Sequence, residues 1–428
     1  MADFIDQLGS IDVDTDTQEI LLAASQHNIP RLRQLIRANE NAENPVNVKD
    51  PETGYTPLHA AIAACEPDIE ESSDSHQVPN GTTNGDSTQT APGTSPSVVD
   101  RGRDVVKFLL QEGAIWNDLD SKNETPGCLA KRLGLHEIYN LMVDAGVRAE
   151  LLLNRLDGYE LLLDDAGDEG REHGDAAMVH ETESHEENPQ TEPESGPGAA
   201  ENVAEQTEPG VSSSRYLQSN LTFQHDRLLD EDQNGVMMAW ETDIMARSAK
   251  TLLPTPGLRV LNIGHGMGIV DNLFQAQQPL AHHIIEAHPA VIADMKSKGW
   301  HEKPGVTIHE GRWQDILPKL IDDGETFDAI YYDTFGESYS DFREFFSEHV
   351  IGLLESNGRW SFFNGMGADR QISYDVYQKV VEMDLLEAGF DVDWEEIEVP
   401  PLEEEWVGVR RKYWDVDNYR LPTCRYLD

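Results

Sequence analysis

The stretch from Gly257 to Ala276 constrains the fold more than any other part of the chain. Gly257-Leu258-Arg259-Val260-Leu261-Asn262-Ile263 is a short run rich in β-formers, it feeds directly into Gly264-His265-Gly266-Met267-Gly268, and Ile269 to Ala276 follows with helical spacing. Strand, glycine turn, helix is the opening unit of an open α/β sheet. Glycines there let the backbone approach a ligand closely, because no Cβ blocks it and positive φ is allowed. The spacing is GxGxG: Ile269 stands where the dinucleotide fingerprint GxGxxG needs its third glycine.

The strands that follow carry a matching set of groups. His282-His283-Ile284-Ile285 ends in Glu286, 22 residues after Gly264, the separation at which an acid accepts hydrogen bonds from the ribose hydroxyls of an adenosine. Gly305 to His309 leads into Glu310-Gly311-Arg312-Trp313, with an aromatic placed to stack on an adenine face. Phe327 to Tyr332 ends in Asp333-Thr334-Phe335. Taken singly, each group has a structural explanation: Glu286 as a helix cap, Trp313 as half-buried packing, Asp333 as a turn acid. Together, at the C-terminal ends of successive strands, they point to an adenosine-type cofactor.

Elsewhere the chain is strongly acidic, with 32 Lys and Arg against 80 Asp and Glu, a net charge of −48 and only 38% hydrophobic residues. Such a polyanion repels phosphate backbones and anionic membranes and attracts basic proteins, so neither nucleic acid nor membrane is expected as a partner. Much of the excess lies in residues 157–213, dense in Glu, Asp, Gly and Pro, which read as an acidic disordered linker. Cys65, Cys128 and Cys424 have no CxxC spacing, no metal ligand set is visible, and the N-terminus carries no signal-like segment; a reducing intracellular compartment is expected.

Residues 1–156 repeat weakly. Gly54-Tyr55-Thr56-Pro57-Leu58-His59-Ala60-Ala61 resembles the opening of an ankyrin repeat, and Glu124-Thr125-Pro126-Gly127-Cys128-Leu129-Ala130 resembles it again in degraded form. The two openings come into a repeat-like register once a low-complexity insertion, residues 66–97, is set aside. Gln18 to Ser25 and Pro30 to Ala38 supply a leading helix pair, Asp104 to Leu110 ends at Gly113 as a left-handed cap, and His136 to Gly146 closes the last repeat. Thr56 and His59 are expected to brace a turn and to do no chemistry.

The C-terminal pattern resembles the S-adenosylmethionine-dependent methyltransferases. Val236-Met237-Met238-Ala239-Trp240-Glu241-Thr242, Val260 to Gly268, Ile284-Ile285-Glu286, Gly311-Arg312-Trp313, Tyr332-Asp333-Thr334-Phe335 and Leu385 to Phe390 together resemble guanidinoacetate N-methyltransferase over nearly all of 214–428. With ankyrin-like repeats in front, the whole resembles the fungal type IV protein arginine N-methyltransferases. The resemblance implies an α/β Rossmann-like S-adenosylmethionine domain behind a small all-α ankyrin-repeat domain. It also implies monomethylation of the δ nitrogen of an arginine in a basic protein, a ribosomal one, with a monomer resident in cytoplasm and nucleus. It places Glu241 and Asp333 on the acceptor guanidine. His265, Gly266, Met267, Gly268, Ile269 and Val270 fall on the cofactor's methionine and ribose end. Glu286 falls on the ribose with Ala287 and His288 beside it, Arg312 and Trp313 border the adenine, and Asp333 lies near the sulfonium. Met237 and Met245 match cofactor contacts, and Tyr216 matches a lid. His265 stands where the small-molecule family has phenylalanine and faces either ligand; the two methionines equally suit core.

The chemistry is consistent. A guanidinium, with a pKa above about 12, is a poor nucleophile until charge is localised and a proton leaves, so it needs carboxylates to orient its fork and take that proton. Glu241 is the expected clamp and proton acceptor, and Asp333 the second clamp. Methylation of a free guanidino metabolite, and an ankyrin scaffold carrying an inactive cofactor domain, are the alternatives.

Overall fold

Local capping signals decide where the N-terminal helices begin. In the computed structural model, which describes residues 15–38, 44–66, 96–165 and 213–427, with 156–165 by backbone alone, six helices form three successive pairs. They are α1 (Thr15–Ser25) with α2 (Ile29–Ala38), α3 (Pro57–Ala63) with α4 (Val98–Gln111), and α5 (Pro126–Arg132) with α6 (His136–Asp165). Thr56 caps α3: its hydroxyl accepts from the His59 amide, and the His59 ring returns the contact to the Thr56 backbone. The same ring meets the Glu124 carbonyl at 3.1 Å, tying the second pair to the third. Gly113 adopts φ +92° just beyond α4.

Two expected boundaries move. Ser97 does not belong to the insertion but caps α4, in a reciprocal box with Asp100 that the Ser-x-x-Asp spacing encodes. Helix α6 does not close at Gly146 or stop at 156; it continues through Gly146 and Gly158 to Asp165, with no proline along its length to break it. The rest of the expected insertion, from 67 to 95, and of the acidic segment, from 166 to 212, lies outside the described residues.

From α7 (Ser213–Gln218) the chain builds a three-stranded antiparallel ribbon, β1 (Thr222–Phe223), β2 (Arg227–Leu229) and β3 (Gly235–Met238), then α8 (Thr242–Leu252). There follow β4 (Arg259–Ile263), α9 (Ile269–Ala276), β5 (Ala281–Glu286), α10 (Pro289–Ser297), β6 (Val306–Glu310), α11 (Trp313–Asp322) and β7 (Phe327–Tyr332). The chain ends with α12 (Tyr339–Glu344), α13 (Val350–Leu353), β8 (Leu354–Phe362), α14 (Gln371–Glu387), β9 (Phe390–Glu398) and β10 (Asn418–Tyr426). The main sheet has the order β6-β5-β4-β7-β8-β10-β9; its first five strands run parallel, and β10 is inserted antiparallel between β8 and β9. This is a doubly wound, Rossmann-like sheet, whose order reverses between β4 and β7, so the crevice for a ligand opens at their C-terminal ends.

The helix pairs and the sheet domain share a core. Ile372, Val376 and Val380 of α14 are buried among residues of α1 to α6, while Val381 and Leu385 of the same helix face the sheet core. Tyr139 of α6 donates to Asp375 at 2.5 Å, and Tyr377 donates to Glu150 at 3.1 Å. Gly127 and Gly146 allow the approach: a Cβ at either would collide with Ile372 or Val376. Among the described residues, no helix is long and apolar enough to cross a membrane, and no group of three or more metal-ligating side chains gathers.

Candidate active site

A pocket opens at the reversal of strand order, lined by Tyr216, Val236, Met237, Gly264, Gly266, Glu286, Ala287, Arg312, Trp313, Asp333, Phe335 and Glu337 among others. Its floor is the glycine turn. Gly264 sits at φ +91° with its Cα against the β7 exit, so that a Cβ there would lie 1.9 Å from the Asp333 carbonyl oxygen. Gly266, at φ +54°, is packed beneath Met237.

Glu286, at the tip of β5, is built into this floor rather than capping a helix. Its Oε2 accepts from the amides of His265 (2.9 Å) and Gly266 (3.4 Å), and its Oε1 accepts from the His288 amide at 2.7 Å. The carboxylate is thereby held at the pocket wall with lone pairs to spare for ribose hydroxyls. The cap of α10 is His288, whose ring accepts from the Ala290 amide and contacts the Tyr216 carbonyl.

The His265 side chain faces neither ligand. It is buried behind the turn, where Nδ1 donates to Asp271 Oδ2 at 2.6 Å and the ring stands edge-on to Trp300. His282 donates to the other Asp271 oxygen at 2.8 Å, and Asn262 ties Asp271 to the Gly264 carbonyl. Burial pushes the Asp271 carboxyl up, but His265 and then His282 outweigh it and bring it to about 2. A buried charge cluster therefore anchors the glycine turn from behind.

The pocket brings together Tyr216, Met237, Gly266, Glu286, Ala287, Arg312, Trp313 and Asp333 of the sequence-derived set. It does not take in Met245, Val270 or His288, which are buried, nor Met267, Gly268 and Ile269, which shape the turn and the start of α9. The two methionines do not share a helix: Met237 lies in β3, where it borders the pocket and its sulfur accepts from the Met267 amide, whereas Met245 is core on α8. Trp313 is fully rather than half buried, its indole donating to both oxygens of Glu337 at 2.9 and 3.0 Å. Glu337 also accepts from Tyr332 and Thr334, gathering the two loops that wall this end. Tyr216, on α7, packs between His288 and Phe335 at the rim.

Glu241 closes a three-residue 3-10 turn at the head of α8, 2% exposed and just outside the pocket lining. Its Oε1 accepts from the Met238 amide at 3.0 Å and from the Tyr413 hydroxyl. Asp333 opens partly to the pocket, but its Oδ2 is buried without a partner. Burial, and then the charge of Asp333, pushes Glu241 up to about 8; burial, and then Asp271, pushes Asp333 up to about 7. The two acids thus stand at the edge of the pocket with no Lys or Arg partner among the described residues to compensate their charge.

Residues 214–423 match the family model of guanidinoacetate N-methyltransferase. Over 429 residues the chain is 67% identical to Protein arginine N-methyltransferase 2 of Aspergillus oryzae, covering 99% of this chain and all of that one. The chain belongs to the fungal protein arginine N-methyltransferase 2 family. The protein of the same name from Emericella nidulans is also 67% identical, over 98% of each chain, and that from Debaryomyces hansenii 35% identical over 91% of each. Among solved structures, the O-methyltransferase TomG of Streptomyces achromogenes, in complex with SAM, is 16% identical with a TM-score of 0.32, over 45% of this chain and 82% of that one. The methyl donor of the protein arginine N-methyltransferase family is S-adenosylmethionine. The pocket fits it: a floor of glycines at positive φ, where a Cβ would strike the Asp333 carbonyl or Met237, a fixed acid at the second strand tip, and a wall ending in Arg312 and Trp313.

Proposed function

We propose that this protein transfers one methyl group from S-adenosylmethionine to the δ nitrogen of an arginine in a basic protein, a ribosomal protein being the acceptor. The observation that carries the reading is the pair of buried Glu241 and Asp333, the latter with a buried, unpartnered Oδ2, held without a Lys or Arg partner among the described residues at the edge of the cofactor pocket. Glu286 would hold the ribose, Arg312 and Trp313 would border the adenine, and Asp333 would lie toward the sulfonium. Bound there, S-adenosylmethionine supplies an electrophilic methyl group.

This chain's residues do the rest. Before the acceptor arrives, the two carboxylates are biased toward holding a proton, because burial opposes charging both. A guanidinium replaces that proton as the compensating charge and is oriented by its fork, so one nitrogen lone pair is directed at the methyl carbon. When that methyl group is transferred, the acceptor nitrogen would give up its proton to Glu241, whose pushed-up pKa suits a base working near neutrality.

The three N-terminal helix pairs, with a Thr-Pro-Leu-His cap bridging the second and third, support the ankyrin-type reading and a protein-sized acceptor. The test incubates the purified protein with methyl-labelled S-adenosylmethionine and extracted ribosomal proteins, then locates the label by fragmentation mass spectrometry. Label on an arginine δ nitrogen supports the reading. Label only on an added free guanidino metabolite overturns the acceptor assignment, and cofactor binding without any transfer overturns the activity.

A further inference from the structure

Sequence spacing gives no hint of Tyr413, which stands 172 residues from Glu241 and reaches it from the loop 399–417 between β9 and β10. Its ring lies edge-on to Trp406 (centroids 4.9 Å apart) and stacked on Trp240 (6.3 Å). Strand β3 passes close beneath, where a Cβ at Gly235 would come within 3.1 Å of the ring. The loop is fastened to the N-terminal ribbon by the Arg410 amide on the Gln233 carbonyl and by Arg227 on the Val407 carbonyl, both at 2.9 Å. The hydroxyl is thus delivered to Glu241 by a rigid mount.

A carboxylate oxygen accepts about two hydrogen bonds. Oε1 of Glu241 has both, from the Met238 amide and the Tyr413 hydroxyl, while Oε2 has none among the described residues. We propose that Tyr413 is a positioning residue for methyl transfer: with the Met238 amide it fixes Oε1 and so commits Oε2 of Glu241 to the acceptor guanidinium. A phenol suits this task better than Lys or Arg. It stabilises the ionised carboxylate by a hydrogen bond, yet brings no positive charge to compete with the incoming cation. The proposal rests on Glu241 being the acceptor clamp, so Glu241→Gln is measured beside it.

The test uses the full-length protein with extracted ribosomal proteins as acceptor. Tyr413→Phe keeps the ring and removes the hydroxyl. S-adenosylmethionine affinity, read by titration calorimetry, stays within about threefold; the maximal rate falls roughly 10- to 100-fold, the loss of one charge-assisted hydrogen bond. The acid limb of the pH–rate profile moves up by about one pH unit, because the lost donor favours the ionised form. An unchanged rate and acid limb reduces Tyr413 to packing and overturns the proposal, and a faster variant overturns it by showing that the hydroxyl obstructs the acceptor. If Tyr413→Phe loses cofactor binding, a fluorotyrosine at position 413 replaces it: the stronger donor shifts the acid limb down, and no shift overturns the proposal. An active Glu241→Gln overturns the clamp itself, whereas an inactive Glu241→Gln beside a wild-type Tyr413→Phe overturns only the role of Tyr413.

Discussion

Replacing Glu241 by Gln removes one charge from the acid pair while keeping an acceptor for the Met238 amide, and it has two separable consequences. In the acceptor-free protein the glutamate is a burden once ionised. Its carboxyl moves from 4.5 in an exposed chain to about 8 at a site 2% exposed, which corresponds to roughly 3 to 5 kcal/mol. The sign follows from a raised acid: its contribution to stability is fully present below about 4.5 and is lost as pH rises through about 8. The wild-type melting temperature therefore falls between pH 5 and pH 8.5, and Glu241→Gln flattens most of that slope. Activity moves the other way. Loss of the proton acceptor and of half the clamp lowers kcat/KM about 10²- to 10⁴-fold, while S-adenosylmethionine affinity stays within about threefold because Glu241 does not line the cofactor pocket. The measurements are differential scanning calorimetry across pH, titration of S-adenosylmethionine, and labelled methyl transfer. A variant that keeps more than a tenth of the wild-type turnover, or whose stability follows pH as the wild type does, would refute the reasoning.

Three further outcomes are expected. Gly264→Ala places a methyl group 1.9 Å from the Asp333 carbonyl at a backbone angle of +91°, so it displaces both the turn and the acid; cofactor affinity and turnover both fall more than tenfold, and wild-type values for either contradict the close-approach argument. His265→Ala leaves Asp271 with one histidine in a fully buried site, costing about 3 to 5 kcal/mol and lowering the melting temperature by roughly 10 °C; a melting temperature unchanged within 2 °C rules out the anchoring role. Val376→Asp buries a charge between α14 and the N-terminal helices, and calorimetry is expected to show one wild-type transition split in two; a single unshifted transition means that the shared core does not couple the two parts.

The cofactor half of the site was legible because it depends on local spacing. A strand that exits through Gly264 and Gly266 must leave its backbone exposed to a ligand, and an acid at the next strand tip must stand beside that turn; both follow from one strand–helix–strand unit. The same locality explains the capping of α3 by Thr56 and His59. What spacing misjudged was side-chain direction. His265 lies in the turn, yet its ring points away from the pocket because Asp271, six residues on in the first turn of α9, offers a buried charge partner. Met237 and Met245 share the spacing of one helix face, but the 3-10 turn at Ala239–Glu241 separates a strand from α8 between them.

Sequence alone determined the strand–helix alternation from β4 to β7, the glycine floor, the acids at the strand tips and most of the N-terminal helices. These are short-range consequences of periodicity, backbone freedom and capping, and any fold the chain adopts must honour them. Tertiary structure decided which groups became partners across long separations. It brought the hydroxyl of Tyr413 to Glu241 and left Asp333 Oδ2 without a donor. It also fixed the N-terminal helices to the outer face of α14 through Tyr139 and Asp375, residues 236 positions apart. Such contacts depend on packing the β9–β10 loop and α14 against surfaces assembled from the whole chain, and the charge state of the acid pair follows from the burial that packing imposes.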